Sequence, residues 1–372
     1  MNWIYRQPVK IEFGAGVLSR LPRVLEELGV GRALLVTSPS FVRRGIAGSL
    51  LEVCGGALVG VYGDVSPNPD VVQCDACAAM LRALRCDGVV ALGGGSVIDC
   101  AKAASVFCLS GSPAAGYLAA DKPVPAQHLP LVAVPTTSGT GSEVTSVSVL
   151  SDHARGIKAP MAADSFFPAV ALVDPNLTLT VPPRLTAITG FDALCHAVEA
   201  YWSRNHRPVC DALAVEAAGT LLRNIAAAVD RPDEAGVRLA MSQGSLMAGL
   251  AFAMPKTSAP HACSYPLTNL LGIPHGEACA LTLDWFIRFN AARGDTRTYT
   301  LARRLGFASP DAMADEIVRL KTVTGLRTDL RDLAPGDDGI ERLAQASIHP
   351  NLANNPVDVT LDDLRRMYRS LC

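Results

Sequence analysis

Val89 to Ala103 reads VVALGGGSVIDCAKA, and its reading decides the fold. A continuous apolar run ends at Leu92, glycines 93–95 turn the chain, and helical spacing begins near Ser96. A buried strand that turns on glycine into a helix is half of a strand–helix–strand unit. Glycine lets a backbone approach a ligand closely, and free N–H groups at a helix N-terminus attract phosphate. Ser96 with Asp99 three residues later predicts a capping box. The spacing is not G-x-G-x-x-G, so the generic dinucleotide fingerprint is absent. A tight strand–helix turn with no ligand would carry the same letters.

Outward from this turn the pattern repeats. RALLVTS (Arg32–Ser38), GALVGVYGDV (Gly56–Val65), DGVVALGGG (Asp87–Gly95) and the start of LPLVAVPTTSGTGSE (Leu129–Glu143) read as strands. NPDVVQCDACAAMLRAL (Asn68–Leu84) and SVIDCAKAASVF (Ser96–Phe107) read as helices. Alternating strands and helices imply parallel strands with crossover helices. After Pro182 and Pro183 the signal is almost wholly helical, with helices expected over 184–203, 208–229, 233–253, 261–271 and 275–292. The expected fold is therefore an α/β, Rossmann-like parallel-sheet domain over 1–180, followed by an all-helical bundle over 181–372.

Composition bounds the function. The chain has 372 residues, 49% hydrophobic and 18% charged, enough for a large core in two domains. A net charge of −2 offers no basic field for nucleic acid or an anionic membrane. The start, MNWIYRQPVKIEF, has no signal-peptide core, and apolar runs are interrupted well before the ~20 residues a membrane span needs. The eleven cysteines are scattered. Cys74 and Cys77 have the spacing of a redox or zinc pair, but they sit in a helical pattern and are expected to be small buried thiols in a reducing cytoplasm. A cytoplasmic location is expected.

Three further stretches carry chemistry. PTTSGTGSEVTS (Pro135–Ser146) crowds hydroxyls and glycines after a buried strand, where parallel sheets bind ligands. Thr136, Thr137, Ser138 and Thr140 can donate to phosphate or ribose, although an ordinary polar turn has the same composition. In TGFDALCHAVEAY (Thr189–Tyr201), Asp192 and His196 stand four apart on one face of a mostly apolar helix. An unpaired carboxylate there would be costly. A plain Asp–His hydrogen bond would satisfy it. KTSAPHACSYPLTNLLGIPHGE (Lys256–Glu277) adds His261 and His275 in apolar surroundings. One aspartate and three imidazoles can hold a divalent cation and leave a coordination position open.

In order along the chain, GGGSVIDCAKA, PTTSGTGSEVT, LVDPNLTLTVPPRLTAITGFDALCHAVEAY, PHACSYPLTNLLGIPHGEA and NPVDVT resemble the iron-containing (group III) alcohol dehydrogenases. The resemblance spans essentially the whole chain. It implies an active site in a cleft between the two domains, with Fe2+, or Zn2+ in some relatives, on Asp192, His196, His261 and His275. It implies cofactor contacts at Gly94, Gly95, Ser96, Asp99, Thr136, Thr137, Thr140 and Lys158, and a homodimer through edge strands near the N-terminus. Such a metal would stabilise negative charge on a carbonyl oxygen as hydride arrives from NADH or NADPH.

Two positions depart from the family. Ser38 stands where an aspartate commonly binds the adenosine ribose, with Arg43 and Arg44 close behind, which should admit NADPH as well as NADH. Tyr265 stands where many members carry a second histidine; it is either a proton donor or a packed aromatic. KTSAPHACSYPLT is similar to a branch that reduces phosphonoacetaldehyde to 2-hydroxyethylphosphonate. Lys256, Thr257 and Ser258 suit a tetrahedral anion. The expected substrate is a small aldehyde bearing a phosphonate. Another short-chain aldehyde or alcohol is the alternative. A lyase related to dehydroquinate synthase is a rival from a different reaction class.

Overall fold

The computed structural model describes residues 2–119 and 122–372. Their contacts form two compact units. One comprises Arg6–Thr137 with Ser142–Thr178; the other comprises Leu179–Cys372 with Ser138–Gly141 and residues 2–5.

The first unit is built on strands β1 (Lys10–Phe13), β2 (Ala33–Thr37), β3 (Leu58–Tyr62), β4 (Gly88–Gly93), β5 (Leu131–Pro135), β6 (Val147–Asp152), β7 (Ile157–Ala162) and β8 (Val170–Val173). Its helices are α1 (Leu21–Glu27), α2 (Pro39–Arg43), α3 (Ile46–Val53), α4 (Val71–Ala83) and α5 (Gly95–Ser110). Among the described residues a parallel sheet runs in the order β1-β8-β5-β4-β2-β3, while β6 and β7 pair as a separate antiparallel hairpin. Every residue of β2, β4 and β5 is buried. Helices cover both faces of such a sheet, so these strands read as unbroken apolar runs rather than alternating ones.

Strand order reverses between β2 and β4, and ligands bind at the carboxyl ends of strands at such a point. The register sets Thr37 opposite Leu92 and Gly93 opposite Pro135. Ser38, Gly94 and Thr136 therefore leave the sheet at one edge. The sequence pattern did not disclose β1, β6, β7 or β8. β1 and β7 are short and partly exposed, and β8 is a four-residue run whose pairing with β1 and β5 is decided far away in sequence.

The expected capping box is absent. Helix α5 begins at Gly95, and Gly94 caps it without a side chain. Ser96 Oγ instead accepts the Asn68 N–H at 3.3 Å. Asp99 turns away, accepting from Ser142 Oγ at 2.5 Å and Val149 N–H at 2.9 Å. Lys102 is wholly buried and donates to Ser142 Oγ, Thr145 O and Val147 O at 2.8–2.9 Å. A buried ammonium is tolerable only with such full satisfaction. The pair clamps the hydroxyl-rich loop and β6 onto α5. Gly93 is required by packing, since a Cβ there would lie 2.5 Å from Val97. Cys74 and Cys77 are free, buried thiols on α4, so packing explains them.

The second unit is helical: α6 (Pro183–Trp202), α7 (Pro208–Asp230), α8 (Ala235–Phe252), α9 (Ala259–Leu271), α10 (His275–Ala292), α11 (Thr296–Arg304), α12 (Pro310–Val323), α13 (Gly336–Ala346) and α14 (Leu361–Leu371). Proline at the first turn of α6 and α7 fixes φ where no donor is needed. The core is contributed chiefly by α6–α10 with Trp202, Phe191 and Phe286 fully buried. Helix α7 is long and apolar enough to cross a membrane by composition alone. It nevertheless carries Asp211, Glu216 and Arg223, and its small residues pack against α6 and α8. The sequence reading had seen no such candidate.

Candidate metal and cofactor site

Asp192 and His196 lie on α6, His261 is the third residue of α9, and His275 is the first residue of α10. Three helices thus bring Asp192, His261 and His275 into one cluster with Cys279, their ligand atoms within 4.8 Å of one another, while the fourth expected ligand, His196, stands beside His261 and outside that cluster. His261 Nε2 is 3.0 Å from His196 Nε2 and 3.6 Å from Asp192 Oδ1; His275 Nε2 is 3.8 Å from the same Oδ1. Asp192, His196 and His261 are each at most 5% exposed.

Neighbours fix which nitrogen points inward. Glu199, fully buried on α6, pairs through Oε2 with His261 Nδ1. Its Oε1 accepts the Ser258 N–H at 2.9 Å, the Ser258 hydroxyl at 3.1 Å and the His261 N–H at 3.2 Å. One carboxylate therefore caps the N-terminus of α9 and orients its histidine. Ser264 Oγ donates to the His261 carbonyl at 2.7 Å, which leaves it to accept from His275 Nδ1–H at 3.2 Å. Both imidazoles then turn their Nε2 atoms toward Asp192 Oδ1. His196 stacks on Phe252 with ring centroids 4.0 Å apart.

The donor set fits a divalent cation. Asp192 Oδ1 is buried and makes no hydrogen bond. Two imidazole nitrogens meet at 3.0 Å, where lone pairs would repel unless a cation or proton lies between them. Burial pushes the His196 imidazolium down to about 4, so the ring is neutral and able to ligate. Burial raises Asp192, but His196, His261 and His275 outweigh it and hold the carboxylate well below its ordinary range. Burial likewise opposes charge on His261, while Cys279 and then Glu199 raise it.

Close approach of α10 to α6 builds the cluster. A Cβ on Gly276 would lie 2.1 Å from the Ile188 carbonyl oxygen and 2.9 Å from Asp192 Cβ. The loop Ser138–Gly141 packs on the same unit: Ser138 Oγ is 3.1 Å from Ser242 Oγ, and a Cβ on Gly141 would lie 2.5 Å from Gly249 Cα.

Tyr265 is partly buried on α9, its ring 6.1 Å from His275 and 4.8 Å from His349. Burial raises its hydroxyl above the ordinary tyrosine range. Lys256 follows α8 in a left-handed backbone, φ +66°. Burial lowers its ammonium, and the nearby Arg207 cation lowers it further. Among the described residues Lys256 Nζ makes no hydrogen bond or ion pair. Of the two hydroxyls expected beside it as anion donors, Ser258 gives its O–H to Glu199, whereas the Thr257 oxygen accepts from Asn351 and keeps its O–H to donate. Thr257 Oγ1 accepts from Asn351 at 2.9 Å, and fully buried Ser258 takes the Trp202 indole N–H at 2.8 Å.

In the α/β unit, Gly94 meets Thr137, whose Oγ1 would sit 3.2 Å from a Cβ at that glycine. Lys158 on β7 donates to Asn68 Oδ1 at 2.8 Å, and Asn68 also donates to Ser96. Ser38 caps α2 in extended conformation, its Oγ 2.9 Å from Ser40 Oγ, and Arg44 lies over the Phe41 ring. Sequence reading missed Glu199, Gly276, Cys279 and Arg207. Glu199 was detectable as the residue seven after Asp192 on one helix face, and Cys279 as four after His275.

Known proteins place these residues in a family. Residues 8–175 match the iron-containing alcohol dehydrogenases, and 186–372 match the C-terminal part of the Fe-containing alcohol dehydrogenase family. Long-chain-alcohol dehydrogenase 1 of Geobacillus thermodenitrificans is 34% identical over 371 residues, 96% of this chain and 93% of its own. Alcohol dehydrogenase 4 of Schizosaccharomyces pombe is 32% identical, over 96% of this chain and 86% of its own. The structure of sulfoacetaldehyde reductase from Bifidobacterium kashiwanohense in complex with NAD+ superposes with a TM-score of 0.98 at 48% identity, covering 100% and 99% of the two chains. Motif order, helix-borne donor set and whole-length similarity agree: the chain belongs to the iron-containing alcohol dehydrogenase family.

Proposed function

We propose that this enzyme reduces a small aldehyde bearing a tetrahedral anionic head group to the corresponding alcohol, using NADH or NADPH. The observation that carries the reading is Lys256. It is partly buried, unpaired among the described residues, held in a left-handed backbone that costs a non-glycine residue energy, and set beside the Arg207 cation. Two neighbouring cations, neither in an ion pair among the described residues, suit an anion. The sequence favours phosphonate, hence phosphonoacetaldehyde in phosphonate metabolism. The relative at 48% identity is named for sulfoacetaldehyde, which favours sulfonate. The head-group chemistry is shared, and kinetics on both aldehydes separate the two.

Asp192, His196, His261 and His275 would hold Fe2+ or Zn2+, which supplies Lewis-acid polarisation of the aldehyde oxygen. The chain's own contributions are orientation and proton supply. Glu199 and Ser264 keep the histidine nitrogens inward, Lys256 and Arg207 seat the anion, and Tyr265 hands a proton to the product oxygen. Residues 1–180 are assigned the dinucleotide, through Gly94, Gly95, Ser96, Thr136, Thr137, Thr140 and Lys158, and residues 181–372 the metal. Asp99 is assigned to the dinucleotide with them, its carboxylate held by Ser142 and Val149 and with lone pairs left to accept. A cytoplasmic homodimer through the open edge of β1 completes the proposal. Family membership leaves no ground for the lyase.

Lys256→Ala should lower kcat/KM for phosphonoacetaldehyde or sulfoacetaldehyde by about 10–100-fold, the worth of a charged hydrogen bond. Butanal should be little affected. Equal losses on anionic and neutral aldehydes in steady-state assays would remove the anion pocket from the proposal. Ser38→Asp should raise the preference for NADH over NADPH by about 10-fold or more, since a carboxylate repels a 2′-phosphate. An unchanged ratio of kcat/KM for the two cofactors would show that Ser38 does not meet the ribose.

A further inference from the structure

We infer that Cys279 is a metal donor, so that the centre offers a soft sulfur in addition to its aspartate and imidazoles. The inference rests on the reading of Asp192, His196, His261 and His275 as a metal site and adds a ligand to it.

Cys279 follows His275 by one helical turn on α10, so both side chains project from one face. It is fully buried. Its Sγ lies 3.9 Å from His275 Nε2, and the ligand atoms of Asp192, His261, His275 and Cys279 all fall within 4.8 Å of one another. Zinc–sulfur and zinc–nitrogen bonds of ~2.3 and ~2.0 Å at a tetrahedral angle place the two donors roughly 3.6 Å apart. The observed spacing needs only a small contraction. The second indication is Asp192 Oδ1, buried, without a hydrogen bond, and facing the same space.

Asp192, His261 and His275 therefore share one close donor cluster with Cys279, and His196 stands beside it, 3.0 Å from His261 Nε2. The thiol ligates as thiolate and gives its proton to solvent as the cation arrives. Thiolate favours Zn2+, Co2+ or Cd2+ over Mn2+ and other hard ions. Cys279 is in this account the residue that sets which metal the chain retains.

Metal-stripped protein reloaded with Co2+ tests the assignment spectroscopically. The wild type should show a near-ultraviolet sulfur-to-cobalt charge-transfer band beside the visible cobalt bands. Cys279→Ser and Cys279→Ala should each bind one cobalt, keep the visible bands and lose the sulfur band. Their preference for Cd2+ over Mn2+ in competition should fall by about 10-fold or more. One bound cobalt with no sulfur band in the wild type, or a sulfur band that persists in both variants, overturns the role of Cys279 and leaves the metal site standing. Failure of the wild type to bind cobalt overturns both. The wild-type spectrum is decisive even if one variant does not fold.

Discussion

Gly276→Ala is expected to give a protein with little bound metal and a kcat/KM lower by about 100-fold or more. The added Cβ would stand 2.1 Å from the Ile188 carbonyl oxygen and 2.9 Å from Asp192 Cβ. Neither neighbour is the free end of a flexible side chain; one is helix backbone and the other the root of a ligand. Helix α10 must therefore retreat from α6, and His275, its first residue, retreats with it. Displacement on the order of 1 Å at a catalytic centre can cost ~100-fold. Overpacking adds a stability loss of roughly 1–3 kcal/mol. Elemental analysis of the purified variant and its thermal melting read the two effects. Wild-type metal content with unchanged kinetics would show that α10 does not approach α6 in the way described.

Glu199→Ala should be the most destabilising change near the site. It removes the acceptor for two backbone N–H groups, one hydroxyl and one imidazole nitrogen, all in a dry core. Each unsatisfied donor costs about 1–3 kcal/mol, and breaking a buried pair costs about 3–5 kcal/mol overall. Metal affinity should fall by about 10–100-fold as His261 loses its support. Glu199→Gln separates the two consequences. Its carbonyl oxygen can still accept from Ser258 and His261 N–H, so stability is largely kept. Its amide then faces His261 Nδ1 and forces that nitrogen to accept, which places the ring proton on Nε2. A protonated Nε2 cannot ligate. The glutamine variant should fold near normally yet bind metal poorly in a chelator competition. Wild-type affinity in Glu199→Gln would refute the orienting role.

Much of this arrangement was legible in the residues. Parallel strands buried on both faces write themselves as unbroken apolar runs, and β2, β4 and β5 did so. Long helices opened by proline were legible for the same local reason: α6, α7 and α9, with it in the first turn, and α10, with it at the N-cap, begin and end within two residues of the expected limits. Asp192 and His196 could be paired because four residues on a helix is a fixed geometry. The failures share a different character. Ser96 and Asp99 have the spacing of a cap, but Ser142 and Val149 offered Asp99 stronger partners from across the fold. Ser258 resembles an anion donor, but Glu199 claimed its hydroxyl proton.

Local spacing and propensity thus determined the strands β2 to β5, the long helices and the identity of most side chains able to bind a cation. What only the tertiary structure decided was how those side chains are aimed. Glu199 selects the inward nitrogen of His261, Gly276 allows α10 to reach α6, Cys279 joins the donor set, and Lys256 comes to lie beside Arg207. Each depends on contact between elements distant in sequence. A helix fixes which residues share its own face, but the partner on the facing helix is fixed only when both are packed.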